Sequence, residues 1–256
     1  MIFQAVSAVA KRPKADIIIV PLFQGKKGPE LAVTISDLKD YITLILQAGD
    51  FSGKSGATML AYLKGKKEKR MLLLGLGKES DVTVESLRRS YSAAVKRCKN
   101  KKWPHVNLIL PKTKKLPDSD IYQGVVESLV LSSYVFEELK SKANQDVFNI
   151  KRISLVGAKD VKEAKKIEGL MSGVNLARDL IIGNATDITP QALGNCAKEI
   201  GKRYTNVKAT VLDKKRLEKE KMGLLLAVGR SSEFDPALIQ LEYTGNPTSK
   251  DMTLVV

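Results

Sequence analysis

The chain has 256 residues, 43% hydrophobic and 28% charged, a globular composition with room for one large domain or two smaller ones, and no apolar run reaches the length of a bilayer span. Lysine and arginine number 43 against 28 acidic residues, giving +15, which suits contact with polyanions such as nucleic acid and equally suits a solvated lysine-rich surface. A single histidine excludes the ordinary His-based triads and His-rich zinc sites, and two distant cysteines exclude a disulfide framework.

The chain opens on alternating apolar residues with no basic leader, so a first strand over 2–9 is expected in place of a signal peptide, and with it a cytosolic protein. The run ADIIIVPLF predicts a strand over 15–23, and Leu38, Ile42, Ile45 and Leu46 predict a helix over 36–49. Strands are expected over 56–63 and 70–77. A helix over 83–102 follows, with the stripe Leu87, Tyr91, Ala94, Val95 and Cys98. Residues 105–111 read as a strand, 119–140 as a helix facing inward through Tyr122, Val125, Val126, Leu129 and Phe136, and 153–157 as a strand. Alternation of this kind, with continuous apolar strands, predicts an α/β sandwich with helices on both faces.

A long helix is expected from about 161 to 182, with the inward stripe Val161, Ala164, Ile167, Met171, Val174 and Ile181. Thr189 followed by Pro190 marks the start of another helix, running to about 204. Beyond it come a strand over 207–213, a short helix, then strands over 224–229, 237–243 and 252–256.

Few residues offer chemistry. GDFSGKS (49–55) resembles a phosphate loop, but it has three residues before the Gly-Lys pair where four are needed, and it follows a helix where a strand is needed. GLG (75–77) lacks the third glycine of a dinucleotide fingerprint. Both read as turns. His105 starts a strand and is expected to be structural. Asp118 and Asp120 precede a helix, where Asp is favoured as a cap, and Glu233 and Asp235 lie in a loop. Neither pair gathers the oxygens a divalent metal needs. Cys98 and Cys196 fall at apolar helical positions and read as buried free thiols. Arg88, Arg89, Lys96, Lys99 and Lys102 share one helix flank and form the DNA-contacting patch this sequence offers, with no aromatic residues interleaved for stacking.

From Asn175 onward the sequence reads NLARDL, TDITPQAL and EKMGLLLAVGRSSEFDPALIQLEYTGNPTSKD. The ordered set Arg178-Asp179-Leu180, Thr189-Pro190, 222–229 and 238–245 resembles the leucyl aminopeptidase (cytosol aminopeptidase) family, and DFSGKSG (50–56) with LLGLGK (73–78) is compatible with it. The resemblance implies a macro-domain-like α/β sandwich over 1–158, a linker helix over 159–182, and the beginning of an α/β metallo-exopeptidase domain over 183–256. It implies a full-length enzyme that removes N-terminal residues, preferably leucine, from peptides with a free amino terminus, using two divalent ions such as zinc or manganese. It also implies a homo-hexamer, in a family some of whose members bind DNA. In the family the metal-binding lysine, the carboxylates and the catalytic arginine follow the strand equivalent to MTLVV. The expectation is therefore that residues 1–256 bind no metal, supply no catalytic residue and are inactive alone, the abrupt Leu-Val-Val ending reading as a cut. One departure is local: after R-D-L the family commonly has Asn-Thr-Pro-x-Asn, where Ile182, Gly183, Asn184, Ala185 and Thr186 stand here. The rival readings are a short basic DNA-binding or assembly module, motivated by the charge, and an ADP-ribose or nucleotide binder, resting only on the macro-like pattern.

Overall fold

The computed structural model describes residues 1–136, 148–248, 252, 253 and 255. It divides into two compact units, Met1–Arg178 and Asp179–Val256.

The first unit is built on a seven-stranded sheet: β1 (Ile2–Val6), β2 (Ile17–Gly25), β3 (Gly28–Leu31), β4 (Thr58–Tyr62), β5 (Arg70–Gly75), β6 (His105–Ile109) and β7 (Arg152–Val156). The order is β1-β7-β6-β2-β5-β4, with β3 hairpinned onto β2. β1, β7, β6, β2 and β5 run parallel, and β4 is antiparallel to β5. Central β2 is buried on both sides, which is why it reads as a continuous apolar run.

Alternate residues of each strand feed two cores. Ile17, Ile19, Leu72, Leu74, Val106 and Leu108 face α2 (Val84–Asn100), α3 (Asp118–Ser133) and the first turns of α4 (Lys162–Ile182). Ile18, Val20, Leu22, Met71 and Leu73 face α1 (Lys39–Ala48), with Leu38, Ile42 and Phe51. The expected sandwich, helices on both faces, is what forms. The whole expected stripe of α2 is buried, and Thr83 and Ser86 close its N-terminus as a reciprocal capping box. Asp118 and Asp120 are not caps: Pro117 holds that position with no side-chain bond, and the two acids lie in the first turn of α3, where they complement the helix dipole. Val125, Val126 and Leu129 are buried as expected, but α3 stops at Ser133, so Phe136 lies past its end, and 137–140 lie outside the described residues.

The stripe expected along α4 splits. Ala164, Ile167 and Met171 are buried, whereas Val174 and Ile181 are 38% and 82% exposed. The helix keeps its apolar period after the first core has ended.

The second unit contains α5 (Pro190–Arg203), β8 (Val207–Leu212), α6 (Lys214–Lys219), α7 (Gly223–Gly229) and β9 (Leu238–Tyr243). Thr189 caps α5 by accepting from the Ala192 amide, with Pro190 behind it. β8 and β9 pair antiparallel. The strand expected over 224–229 is a helix instead. The Leu226 amide bonds back to the Met222 carbonyl, and a run this short between two glycines does not separate a helical period from a strand's. Of 252–256, residues 252, 253 and 255 are described and lie in no strand; 254 and 256 lie outside the described residues. Among the described residues no helix is long and apolar enough to cross a membrane.

The two cysteines differ. Cys98 is fully buried against α3, and burial pushes its thiol up to about 12. Cys196 is only half-buried on α5, which corrects the expectation for that residue. In the native protein Cys196 is therefore expected to react with a thiol reagent such as DTNB well before Cys98, which should react only after denaturation. Peptide mapping of a partially labelled sample checks this; equal labelling of both would show that α2 and α3 are not packed as described.

Candidate functional site

The phosphate-loop-like stretch binds the chain to itself. Gly53 turns at φ +73° against the Phe23 carbonyl, and Gly75 lies flush against the Lys54 carbonyl. Backbone bonds zip the two glycine segments together: Gly56 N to Gly75 O at 2.9 Å, Gly75 N to Ala57 O at 2.8 Å and Gly77 N to Gly53 O at 3.0 Å. Ser55 and Ser90 hydroxyls meet at 3.1 Å, tying the clasp to α2. These amides point at carbonyls of the neighbouring segment and not into an anion cradle.

The basic flank of α2 is partly spoken for. Arg88 donates through Nε to Glu127 of α3 at 2.8 Å and pairs with Glu85 as well. Glu127 is buried, so Arg88 neutralises a carboxylate that would otherwise be costly there. Burial alone would lower the Arg88 pKa, but the bonds and charges of Glu127 and Glu85 prevail and raise it. Arg89 pairs with Glu85 at 2.7 Å. Lys99 reaches the carbonyls of Ser132 and Ser133 at the end of α3, a cation on a helix C-terminus, and burial lowers its pKa. Lys96 is exposed, and Lys102 lies just past the helix end at φ +54°. Arg88 and Lys99 are turned towards α3, and Lys102 lies outside the helix.

His105 holds a strand start. Its amide donates to Asp16 at 3.0 Å, the Asp16 amide donates back to its carbonyl at 2.9 Å, and its Nδ1 lies 3.4 Å from the Asp16 carboxylate. Asp235 pairs with Lys214 at 3.0 Å. Among the described residues no three His, Cys, Asp or Glu side chains gather as a metal site, so the donor set present does not fit the two ions implied by the family.

A crevice of about 250 Å³ opens at the C-terminal ends of β6 and β7, beside the starts of α3 and α4. Ligands of open α/β sheets favour such ends. Here Lys112 and Lys159 are outnumbered by Asp118, Asp160 and Glu163, which does not favour an anionic nucleotide. Tyr122 donates to the Asp160 carbonyl at 3.1 Å, and burial, with Asp160 and Asp118, pushes its phenol up to about 12. It is neutral at physiological pH and serves as a donor, not a base.

In the second unit the turn that departs from the family pattern is compact. Asn184 accepts from the amides of Asp187 and Ile188 at 3.0 and 2.9 Å, and Gly183 leaves room for the Ile188 side chain. Beyond it a wide apolar groove of about 740 Å³ runs past Pro190, Met222, Leu224, Val228 and Pro236. Its signal in the sequence was the run 224–229, read there as a strand.

A doubly covered, mostly parallel sheet followed by a second, smaller α/β unit makes this a two-unit α/β protein. Comparison with known proteins sharpens that class. The model of the N-terminal domain of the cytosol aminopeptidase family matches residues 19–143, and the model of that family's catalytic domain matches residues 175–256. The chain belongs to the cytosol aminopeptidase family. It is 41% identical over 252 residues to the "Probable cytosol aminopeptidase" of Protochlamydia amoebophila (strain UWE25), covering 97% of this chain and 50% of that protein. A mutant of tomato leucine aminopeptidase shares the fold at a TM-score of 0.78 and 22% identity, over 98% of this chain and 52% of that one. The bottromycin maturation enzyme BotP in complex with Mn does so at 0.71 and 19%, over 89% and 45%. The chain spans about half the length of the curated relatives it matches.

Proposed function

We propose that the chain is the N-terminal half of a leucyl aminopeptidase, whose full-length form hydrolyses N-terminal amino acids, leucine preferred, from peptides in intracellular protein turnover. The observation that carries this reading is the match of the family's catalytic domain to residues 175–256, which takes in the second compact unit. On this reading residues 1–158 form the N-terminal domain, 159–182 the linker helix and 183–256 the start of the peptidase domain. The full-length protein is cytoplasmic, hexameric and dependent on two divalent ions, zinc or manganese. The manganese complex of a fold neighbour supports metal dependence in general and not the choice of ion.

What the present residues do is structural: they build the sheet, cap α5 and set out the first strands of the peptidase domain. On this reading the metal ligands and the catalytic arginine lie in the part of the full-length protein outside these 256 residues. Purified 1–256 is thus expected to give no turnover of leucine p-nitroanilide with added Mn²⁺ or Zn²⁺. Fractions of the source organism that react with an antibody to residues 1–160 are expected to show that turnover, and to lose it to a chelator. Metal-dependent turnover by 1–256 alone would sink the placement of the ligands; immunoreactive fractions with no peptidase activity would sink the aminopeptidase reading.

A further inference from the structure

Asn107 of β6 and Ser154 of β7 are partners in the parallel register, and both are fully buried. Each stands two residues before a member of the core on the α1 side, Ile109 and Val156, so both share that face of the sheet. Arg152 stands two residues before Ser154, on the same face. Asn107 Oδ1, Ser154 Oγ and Arg152 Nε are enclosed and find no hydrogen-bond partner among the described residues. Buried polar groups without a partner are rare and costly, so three of them on adjacent strands call for a common explanation. The bonds around them fix how they are aimed. Asn107 Nδ2 donates to Glu68 Oε1 at 2.6 Å and to the Pro13 carbonyl at 2.7 Å. Both of those partners only accept, so the amide cannot be turned over, and Oδ1 is the atom left to another donor. Arg152 Nη2 donates at 2.9 Å to the Lys14 carbonyl, the next one along from the carbonyl that Asn107 takes. The 13–14 segment thus draws both side chains to one place, with Ser154 directly across from Asn107.

The three atoms select what fits among them. Arg152 Nε only donates, Asn107 Oδ1 only accepts, and the Ser154 hydroxyl does either. A small anion would face the Asn107 oxygen, and a metal ion would face the Arg152 N–H. A molecule that both donates and accepts satisfies all three. We propose that these residues form the site of an internal water, which accepts from Arg152 Nε, donates to Asn107 Oδ1 and bonds to the Ser154 hydroxyl. Three partners are the usual number for a buried water. Gln4 of β1, the register partner of Ser154 on its other side, is exposed, so solvent lies one strand away. The water carries the chain of bonds from Asp37 through Arg12, Glu68 and Asn107 one strand further, to β7. The inference concerns the first unit and stands whether or not the aminopeptidase reading does.

The test is a crystal structure of the whole chain at a resolution that shows ordered water, grown with bromide in place of chloride. One peak without anomalous signal, within hydrogen-bond distance of all three atoms, is expected. A bromide peak there gives the site to an anion and overturns the inference. So does the Gln4 side chain turned in onto Ser154, a direct bond among the three atoms, or a site that holds nothing. Two substitutions read the same question in solution. Ser154→Ala leaves the water its other two partners, whereas Ser154→Val puts a methyl group in its place and strands Asn107 Oδ1 and Arg152 Nε. Valine is the better strand former and fills more space, so in a dry apolar gap it would be the more stable of the two. Here the urea midpoint of Ser154→Val is expected to fall below that of Ser154→Ala. Equal midpoints or the reverse order overturn the inference. If neither variant folds, the crystal structure of the unsubstituted chain decides alone.

Discussion

Arg12→Ala is expected to destabilise the N-terminal unit by about 3–5 kcal/mol, the usual effect of removing one partner from a buried ion pair. Arg12 and Glu68 are both fully buried, and Arg12 Nε donates to Glu68 at 2.7 Å. Asn107 donates to the same carboxylate at 2.6 Å, and Asp37 takes Arg12 Nη2 at 2.6 Å. Without Arg12 the buried Glu68 carboxylate keeps the neutral Asn107 amide as a donor but loses its buried compensating charge. A loss of that size is a large share of a typical domain's 5–15 kcal/mol of about marginal stability. Urea unfolding followed by the near-ultraviolet signal of Trp103 reads it directly; a loss under about 1 kcal/mol would mean the network is solvated, as surface pairs are. The sign with pH follows from Asp37. Burial would raise its pKa, but the bond and charge of Arg12 prevail and hold it lower. Its contribution is therefore complete above the ordinary aspartate pKa of about 3.9 and is lost as pH falls below that through the depressed native value. Asp37→Asn should flatten stability across that window, whereas the wild type should lose stability on acidification.

None of that network was legible in the sequence, since Arg12, Asp37, Glu68 and Asn107 are far apart and each alone resembles a surface residue. What was legible is periodic. Leu87, Tyr91, Ala94, Val95 and Cys98 keep the helical period over more than three turns, and all five are buried. The run 15–23 could only be a strand covered on both sides, and β2 is that strand. Short or interrupted runs failed. Gly223 to Gly229 has too few residues to separate a helical period from a strand's, and the exposure of Leu224 and Val228 shows that the pattern was set by something other than the described core. β3 was missed because Gly28 and Pro29 speak against a strand, yet an edge hairpin tolerates both. Val174 and Ile181 followed the period of α4 but not its environment. The candidate site shows the same division. The ordered elements from 178 to 245 carried the family, while the roles of Arg88 and Lys99 towards α3 needed the packing of two helices to be seen.

Gly75→Ala is the second substitution expected to be severe, and it separates two meanings of glycine in this chain. A Cβ at Gly75 would lie 2.1 Å from the Lys54 carbonyl oxygen and 2.7 Å from the Gly53 carbonyl carbon. Both are backbone atoms held in place by the bonds between 53–57 and 75–77, so no side chain can swing away to make room. Relief requires β5 and the 49–57 loop to part, with loss of the Gly75–Ala57 and Gly56–Gly75 bonds. The expected cost is about 3 kcal/mol, the upper end for overpacking. Gly169 on α4 is the control: a Cβ there meets nothing within 4 Å, and its φ is not left-handed. Gly169→Ala should therefore stabilise, by about 0.5–1 kcal/mol, because alanine loses less backbone freedom in a helix. Opposite signs for the same chemical change, measured side by side in urea, would establish that the clasp at the ends of β2 and β5 is closed by backbone contact. If Gly75→Ala were as mild as Gly169→Ala, the 49–57 loop would have to be free of β5, and an open glycine-rich loop able to receive an anion would return as a reading of that stretch.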